Sequence, residues 1–369
     1  MDEEMLLYHV ALTQIPQIGD IHIGILLKHF QHPTFIFKAK RKDLEHIPGI
    51  GSLRANYIKS FSDFDKIKSE LEFALKNNVQ ILIKGTSRYP STLEECIDSP
   101  HILYYKGTAN LNLPKLISVV GTRSPTEYGK ERTGELIASL KNQSVTIVSG
   151  LAYGIDTVAH RESLKNSIPT IAVLGHGFKH IYPYANKTLA SEMLTAGGLL
   201  TEFMHDVKPD KQNFPRRNRI VAGLSDVVVV MESGAKGGSL ITADVANSYN
   251  KDVLAYPGRA NDIQSIGCNQ LIRTNKANLI TCGQELIDFM NWVPANVDRK
   301  AIQVELFLAL EENERLIYEI IAEKQPVSLD DLSILTELGP SILATMVLSL
   351  EMKNLIHPVP GKLYKTASR

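Results

Sequence analysis

The stretch LISVVGTRSPTEYG, residues 116–129, decides the fold. It opens with a short apolar run, turns at Gly121, and continues through polar residues into the start of a helix. A run without polar alternation is typical of a strand covered on both faces of a parallel sheet, and a glycine lets the backbone turn sharply after it. The pattern predicts a buried strand, a tight loop and a crossover helix.

Six further runs repeat this texture: VQILI (79–83), VTIVS (145–149), TIAVL (170–174), GLLTE (198–202), DVVVVME (226–232) and DVLAY (252–256). Most are separated by stretches long enough for a crossover helix. Strands alternating with helices predict a parallel sheet with helices on both faces. We therefore expect a doubly wound α/β domain over residues 79–292, with its ligands at the carboxyl ends of the strands.

Composition sets wide limits on function. The chain has 369 residues, which favours two or three domains, and 40 Lys plus Arg balance 40 Asp plus Glu. A neutral chain lacks the general positive charge of many nucleic-acid or membrane binders. No apolar run approaches a bilayer span, and the N-terminus is acidic, so we expect a cytoplasmic protein without a membrane partner. The three scattered cysteines favour neither disulfides nor a cysteine zinc site.

Residues 1–78 read as short amphipathic helices with an internal echo. IPQIGDIHIGILLKHF from Ile15 and IPGIGSLRANYI from Ile47 each place a Pro or Gly turn before a helix. The pattern resembles a tandem helix-hairpin-helix, in which free backbone amides can hold a phosphate. The alternative is a helical bundle whose glycines cap helices, and we assign no DNA contact to this domain.

The C-terminal segment follows a proline-containing linker, NWVPANVDRK, at 291–300. Residues 300–369 read as helix, Ser-capped helix, Gly-Pro turn, helix and short hairpin, which is the winged-helix order. The helix after the turn, SILATMVLSLEM at 341–352, contains no basic residue, and residues 300–369 hold seven Lys or Arg against ten Asp or Glu. We therefore interpret this unit as a module for protein interaction or self-association.

Four glycine-bearing loops follow predicted strands: VVGTRSPTEYG (119–129), SGLAYGID (149–156), LGHGFKHIYPYANK (174–187) and ESGAKGGSLITA (232–243). Parallel sheets need tight turns in any case, but four such loops on one edge predict an anion-binding rim. The chain has no GxGxxG opening a helix after a strand and no GxxxxGK[ST]. Both the usual dinucleotide fingerprint and P-loop hydrolysis are therefore disfavoured.

The most informative stretch is KQNFPRRNRIVAGLSD, residues 211–226. Cations at backbone spacing beside an aromatic ring are typical of single-stranded nucleic-acid binding. Pro215 can open a helix whose amides face a phosphate. In the alternative interpretation, Arg216 and Arg219 pair with carboxylates and Phe214 belongs to the core.

Two other chemistries are weaker. Asp156 and His160 are four residues apart on a predicted helix, with Ser149 upstream, but no GxSxG elbow accompanies them and the helix dipole explains Asp156. His176 and His180 lack a third ligand candidate nearby, so we expect no metal site and no catalytic residue.

Five motifs, in order, resemble the DNA processing protein A family, also called DprA or Smf, over residues 80–292: VVGTRSPTEYG, IVSGLAYGIDTVAH, IAVLGHGFKHIYPYANK, NFPRRNRIVAGLSD and GGSLITADVA. The resemblance implies an extended Rossmann domain that forms a homodimer, without catalytic activity or cofactor. It also implies binding and protecting single-stranded DNA during natural transformation, and loading the RecA recombinase on it.

Carried over by motif, the DNA-binding residues would be Arg123, Lys211, Phe214, Arg216, Asn218, Gly237, Gly238 and Ser239, with Lys187 adding charge. Gly121, Ser149, Gly150, Gly154, Gly175 and Gly177 would shape the phosphate loops. Two departures affect the electrostatics: Tyr153 stands where an Arg is commoner, and Lys179 and His180 stand where an acidic residue is usual. The rival interpretations are a nucleoside-monophosphate phosphoribohydrolase, suggested by the Gly-Gly loop that enters a helix, and a scaffold acting through its end domains.

Overall fold

The computed structural model describes residues 3–292, 310–336, 338–353, 355–359 and 363–366. The chain divides into two compact units, residues 1–293 and 294–369. The predicted linker at 291–300 lies outside the described residues from position 293 onward.

A nine-stranded sheet forms the centre of the first unit. Its strands are β1 (Gln80–Ile83), β2 (Ile102–Gly107), β3 (Leu116–Val120), β4 (Thr146–Ser149), β5 (Thr170–Val173), β6 (Gly197–Thr201), β7 (Val227–Val230), β8 (Asp252–Ala255) and β9 (Asn278–Leu279). Their order is β1-β2-β6-β5-β4-β3-β7-β8-β9. The seven strands from β6 through β3 to β9 in this order are all parallel. Starting from β3, later strands of the chain are added on one side as β4, β5 and β6 and on the other side as β7, β8 and β9. The order therefore reverses between β3 and β7, which is where a doubly wound sheet opens a crevice.

The doubly wound α/β fold expected from the sequence is confirmed, with one addition at the edge. All seven predicted runs form strands, but ILYYKG at 102–107 and the short β9 also join the sheet. The strands β2 and β1 run antiparallel to their neighbours, so the sheet is mixed.

Helices cover both faces of the sheet. They are α7 (Ser91–Glu94), α8 (Glu127–Ser139), α9 (Ile155–Lys165), α10 (Lys187–Met193), α11 (Asn213–Leu224), α12 (Gly238–Ser248), α13 (Ile266–Arg273) and α14 (Gly283–Phe289). One core packs α11, α12 and α13 against β3, β7 and β8, and a second packs α8, α9 and α14 against the other face. Both faces of β7 are consequently buried, which explains its all-valine sequence.

The N-terminal helices are α1 (Glu3–Gln14), α2 (Asp20–Phe30), α3 (Pro33–Lys38), α4 (Arg41–Glu45), α5 (Gly51–Ser60) and α6 (Phe64–Lys76). The two echoing segments form the turns before α2 and α5. Gly49 and Gly51 have φ values of 88° and 63°, a region that other residues rarely adopt. Arg54 joins the turns because its guanidinium donates to the carbonyls of Gln17 and Gly49.

The second unit contains α15 (Glu312–Lys324), β10 (Val327–Ser328), α16 (Leu329–Thr336), α17 (Pro340–Met352), β11 (Ile356–Val359) and β12 (Leu363–Thr366). The three strands pair in the order β10-β12-β11. Side chains of all three helices meet in one core that includes Ile317, Leu332 and Val347. This arrangement confirms the predicted winged helix.

No single helix in the described part of the chain is long and apolar enough to cross a membrane. The bent pair of α16 and α17 passes that test together, by length and composition alone.

Candidate nucleic-acid interface

A cavity of about 580 Å³ opens at the carboxyl ends of the strands around the point where the strand order reverses. We call it the switch-point cavity. Its walls come from the loop after β3 (121–123), the loop after β4 (150 and 152), helix α11 with the residues before it, and the loop after β7 with the start of α12. The sheet topology alone thus brings together segments that are far apart in sequence.

Nine of the predicted site residues line this cavity: Gly121, Arg123, Gly150, Lys211, Phe214, Asn218, Gly237, Gly238 and Ser239. Lys211 and Arg123 are exposed, and Phe214 is half-buried. Asn218 donates from Nδ2 to the carbonyl of Gly238 at 3.2 Å, which ties α11 to the start of α12. Ser239 donates to the hydroxyl of Ser233 at 2.9 Å and fixes the loop that precedes the helix.

Phe214 supplies the aromatic surface of the cavity. The guanidinium carbon of Arg123 lies 5.5 Å from the centre of its ring, and the ring of Tyr182 lies 5.7 Å away at a 38° angle. A side chain at Gly175 would collide with Phe214, since a Cβ there would lie 2.9 Å from Cδ1. Gly175 therefore acts on the cavity indirectly, by leaving room for the ring.

Two predicted contact residues lie outside the cavity lining. The Nη2 atom of Arg216 lies 3.4 Å from the carboxylate of Glu202, and its guanidinium stacks over Phe203 at 5.3 Å. Lys187 begins α10, and its ammonium group lies 5.6 Å from the ring centre of Tyr184. Arg219 also pairs with Glu202, at 2.5 Å. The alternative interpretation, in which Arg216 and Arg219 pair with carboxylates, is therefore correct for both arginines. It is wrong for Phe214, which it placed in the core and which borders the cavity.

The remaining predicted loop residues act within the fold. Ser149 donates its hydroxyl to the carbonyl of Val119 at 2.6 Å. Gly154 has a φ of 81° and approaches the carbonyl of Thr122, and Gly177 approaches the carbonyls of residues 204 and 205. These contacts leave no space for a side chain.

Arg217 and Lys236 also line the cavity, although the motifs in the sequence did not assign either residue to the site. Arg217 is 4% exposed and donates from Nη1 to the carbonyl of Val173 at 2.7 Å. A signal for it was available, because Arg217 and Asn218 lie three and four residues after Phe214 and share its helix face. Lys236 lies in the loop that carries Gly237 and Gly238. Because a loop has no regular periodicity, the sequence does not predict whether its side chain faces the cavity.

The charge of the cavity is strongly positive. Arg123, Lys211, Arg217 and Lys236 line it together with a single carboxyl group, that of Asp156. Asp156 accepts from the backbone N–H of Gly150 at 3.1 Å and of Ala152 at 3.3 Å, and burial raises its pKa above the usual range. A polyanion is the ligand that this balance favours.

Hydrolytic machinery receives no support from the same region. His160 is fully buried, its Nδ1 lies 2.7 Å from the hydroxyl of Thr170, and burial lowers its pKa to about 3. The Ser149 hydroxyl is directed to a backbone carbonyl. His176 and His180 each bond to the backbone, and the described residues contain no group of three or more His, Cys, Asp or Glu able to hold a metal ion.

The two departures from the family pattern lie near the site. Tyr153 is half-exposed and borders a small recess beside the cavity, next to Arg123 and Arg217. The backbone N–H of Lys179 donates to the carbonyl of His205, and the ring of His180 lies 3.3 Å from the carbonyl of Asp206.

Comparison with known proteins agrees with these features. Residues 80–291 match the family described as DNA recombination-mediator protein A, and residues 308–362 match the DprA winged helix domain. Protein Smf of a Synechocystis species is 31% identical over 97% of this chain and 98% of its own length. DNA processing protein DprA of Streptococcus pneumoniae is 43% identical over 54% of this chain and 70% of its own.

Two solved structures are similar. DprA from S. pneumoniae covers 76% of this chain and 97% of its own with a TM-score of 0.68 at 33% identity. DNA processing protein A from Helicobacter pylori, whose structure is described as revealing a unique single-stranded DNA binding mode, covers 57% of this chain and 95% of its own with a TM-score of 0.52 at 32% identity. From the matched motifs, the fold and these relatives, the chain belongs to the DprA/Smf family of DNA recombination-mediator proteins.

Proposed function

We propose that this protein binds single-stranded DNA in the switch-point cavity and delivers it to RecA recombinase during natural transformation. The observation that carries the proposal is that four cationic side chains line the same cavity as the Phe214 ring. Cations that track a backbone, beside a ring on which a base can stack, are the common features of single-strand binding sites. The binding mode named for the H. pylori relative supports the same ligand.

The binding mechanism follows from the chemistry of the walls. Lys211 and Lys236 would neutralise backbone phosphates, and the amides at the start of α12 would donate to a phosphate oxygen. In the free protein the Arg123 guanidinium lies over the Phe214 ring. A stacking base would take its place, and Arg123 would then be free to pair with a phosphate of the same strand.

This arrangement reads no sequence. Phosphate contacts carry no base information, and every base has a face that can stack. Recombination requires a mediator to accept any incoming strand, so a site of this kind suits the role. Holding the strand in the cavity would also protect it from nucleases.

The partner proteins belong to the same proposal. We propose a homodimer formed through the α/β unit, with RecA as the protein that receives the strand. Light scattering on the purified chain tests the dimer, and strand-exchange assays with RecA on coated DNA test the delivery.

The DNA pocket is tested by charge removal. We expect Arg123→Ala and Lys211→Ala each to weaken binding of labelled oligo-dT by about tenfold, because a hydrogen bond to a charged group contributes roughly 1.5–3 kcal/mol. Each variant should also flatten the dependence of log K on log salt concentration by about 0.7 per lost phosphate contact. Fluorescence anisotropy at two salt concentrations measures both quantities.

Phe214→Ala separates stacking from charge. It should weaken binding by a similar amount, since stacking contributes about 1–3 kcal/mol per base, while leaving the salt slope unchanged. Lys68→Ala is the matched control, because Lys68 is an exposed cation on α6 paired with Asp65 and lies outside the cavity lining. If Arg123→Ala and Lys211→Ala bind as tightly as the control, the pocket assignment is wrong.

A further inference from the structure

Arg217 is a buried cation whose hydrogen-bonding capacity is only partly used by the protein. Its side chain is 4% exposed and borders the switch-point cavity. One bond from Nη1 reaches the carbonyl of Val173, but within the described residues Nε is buried without a partner. Buried polar groups normally find partners, so a donor left over beside a cavity points to a ligand.

Arg217 has no ion-pair partner within 4 Å among the described residues, and two charges nearby act on it in opposite directions. The Asp156 carboxyl group attracts it but already accepts two backbone N–H groups, whereas Arg123, which borders the same cavity, repels it. Leaving a guanidinium buried without an ion pair is costly, and an anion between the two arginines would offset that cost.

The Arg217 guanidinium packs against Gly150. A Cβ at Gly150 would lie 1.8 Å from Nη1 and 2.4 Å from Cζ of Arg217, so the guanidinium rests directly on the Gly150 backbone. Both residues also border the small recess beside the cavity, together with Arg123 and Phe214. The arginine is therefore deep in the site yet adjacent to the position proposed for the strand.

We infer that Arg217, with Arg123, binds a terminal phosphate monoester of the nucleic acid, an inference that rests on the proposed single-strand binding function. An internal phosphodiester has two ester links, and both must leave the site, whereas a terminal phosphate has one link and can enter a deep position. A monoester also carries about −1.5 to −2 charges at neutral pH, against −1 for a diester. The deeper and more cationic position therefore selects the strand end.

The experiment compares one short oligo-dT carrying a 5′-phosphate, a 3′-phosphate or hydroxyl groups at both ends, each binding to the full chain. We expect about tenfold tighter binding of one phosphorylated form, and the arm that shows it identifies the end. Equal affinities for all three forms overturn the inference. Loss of binding to all three would instead contradict the proposed function, so the two failures are distinguishable.

Variants of Arg217 assign the preference to this side chain. Arg217→Gln should reduce it to within about twofold, and Arg217→Lys should keep part of it because the charge remains. Lys276→Gln removes an exposed cation that pairs with Asp244 and should leave the preference unchanged. If Arg217→Gln keeps the full preference, another group binds the phosphate and the inference is wrong.

A test on the unaltered protein covers the case in which the Arg217 variants do not fold. Thymidine monophosphate should displace the labelled oligo-dT at about tenfold lower concentration than thymidine does. Equal competition by the nucleoside overturns the inference.

The preference should also depend on pH in a way that a purely structural arginine would not produce. The second ionisation of a phosphate monoester has a pKa of about 6, so the affinity ratio between phosphorylated and hydroxyl-ended strands should rise from pH 5 to pH 7.5. The groups that face Arg217 are Arg123, Asp156, His160 and His176. Burial lowers the pKa of both histidines and raises that of Asp156. Ionisation of Asp156 adds a negative charge beside Arg217 and therefore opposes the increase, so Asp156→Asn should show the increase at least as strongly as the parent chain. A ratio that stays constant in both proteins contradicts the inference.

Discussion

At the scale of single residues, the cavity depends on three glycines, which have no side chain. Gly150, Gly175 and Gly177 each leave space that another group fills: the Arg217 guanidinium, the Phe214 ring and the carbonyls of residues 204 and 205. Protein interiors are packed so closely that one extra methyl group disturbs the packing. These glycines therefore shape the site through the space that they leave for neighbouring groups.

Gly150→Ala tests this dependence. We expect the variant to lose roughly 1–3 kcal/mol of unfolding free energy, because the new Cβ would lie within 1.8 Å of Arg217 Nη1 and force it to move. Denaturant unfolding measures the change. Gly134→Ala is the matched control within α8, where the new Cβ would make an ordinary contact at 3.7 Å with Glu162. The control should gain stability by up to about 1 kcal/mol, and equal losses in both variants would contradict the argument.

The sequence predicts the site residues that belong to recognisable motifs, such as Arg123, Lys211 and Phe214. It predicts less well which of two adjacent residues of the same type faces the site. Arg216 and Arg217 differ by one position, yet helix phase turns one toward Glu202 and the other toward the cavity. A motif carried over residue by residue contains no information on that rotation. Helical spacing from Phe214 does contain it, and favours Arg217.

At the scale of elements, Arg219 connects three segments of the first unit. Its guanidinium pairs with Glu202 after β6 at 2.5 Å and with Asp20 at the start of α2 at 3.5 Å, and it donates to the carbonyl of Asp98. The same helix, α11, presents Phe214 and Asn218 to the cavity. The element proposed to bind DNA is thus anchored to the N-terminal helices by its own last turns.

Arg219→Met should destabilise the protein by up to about 3–5 kcal/mol, because the Glu202 side chain, which is 5% exposed, loses its nearest cation and keeps only the more distant Arg216. Burial already raises the pKa of Glu202, and loss of Arg219 raises it further. A carboxyl group with a raised pKa holds a proton in the folded state that the unfolded state releases, so stability falls as pH rises. We therefore expect a larger deficit at pH 8 than at pH 5 in denaturant unfolding.

Two variants control this measurement. Arg41→Met removes an exposed arginine that pairs with Glu45 and should change stability by at most about 1 kcal/mol. Adding Glu202→Gln to Arg219→Met should remove most of the pH dependence. A deficit that is the same at both pH values would show that Glu202 is not its source.

The elements of the parallel sheet are predictable because each is an apolar run followed by a turn and a helix. The antiparallel edge is harder. The run ILYYKG of β2 is separated from β1 by α7 and an irregular loop, without a crossover helix, and β9 has two residues. The pairing of β2 with β6 joins strands almost a hundred residues apart, a contact that no local pattern encodes.

At the scale of the whole molecule, the two units differ in charge. The chain is neutral overall, but the switch-point cavity is cationic, whereas residues 300–369 carry ten acidic and seven basic side chains. Helix α17 follows the turn and corresponds to the helix that would contact bases in a DNA-reading winged helix, but it contains no basic residue. Zero net charge is therefore an average over units with different charge.

Removal of residues 294–369 tests this division. Because residues 1–293 form a compact unit that contains the whole cavity, we expect the shortened chain to bind oligo-dT within about twofold of the full chain at moderate salt. Electrophoretic mobility shifts with both proteins measure it. A loss of tenfold or more would show that the winged helix contributes to DNA binding and would contradict its interpretation as a protein-interaction module.

The paired N-terminal turns differ in what they contact. Asp20 and Ser52 occupy the same place in the two copies, IPQIGD and IPGIGS. Asp20 accepts the backbone N–H of His101 at 2.8 Å and pairs with Arg219, so the first copy is committed to holding the α/β unit. Ser52 is exposed. The two turns should therefore tolerate substitution unequally: a change at Asp20 removes contacts to the α/β unit, whereas a change at Ser52 alters only an exposed side chain.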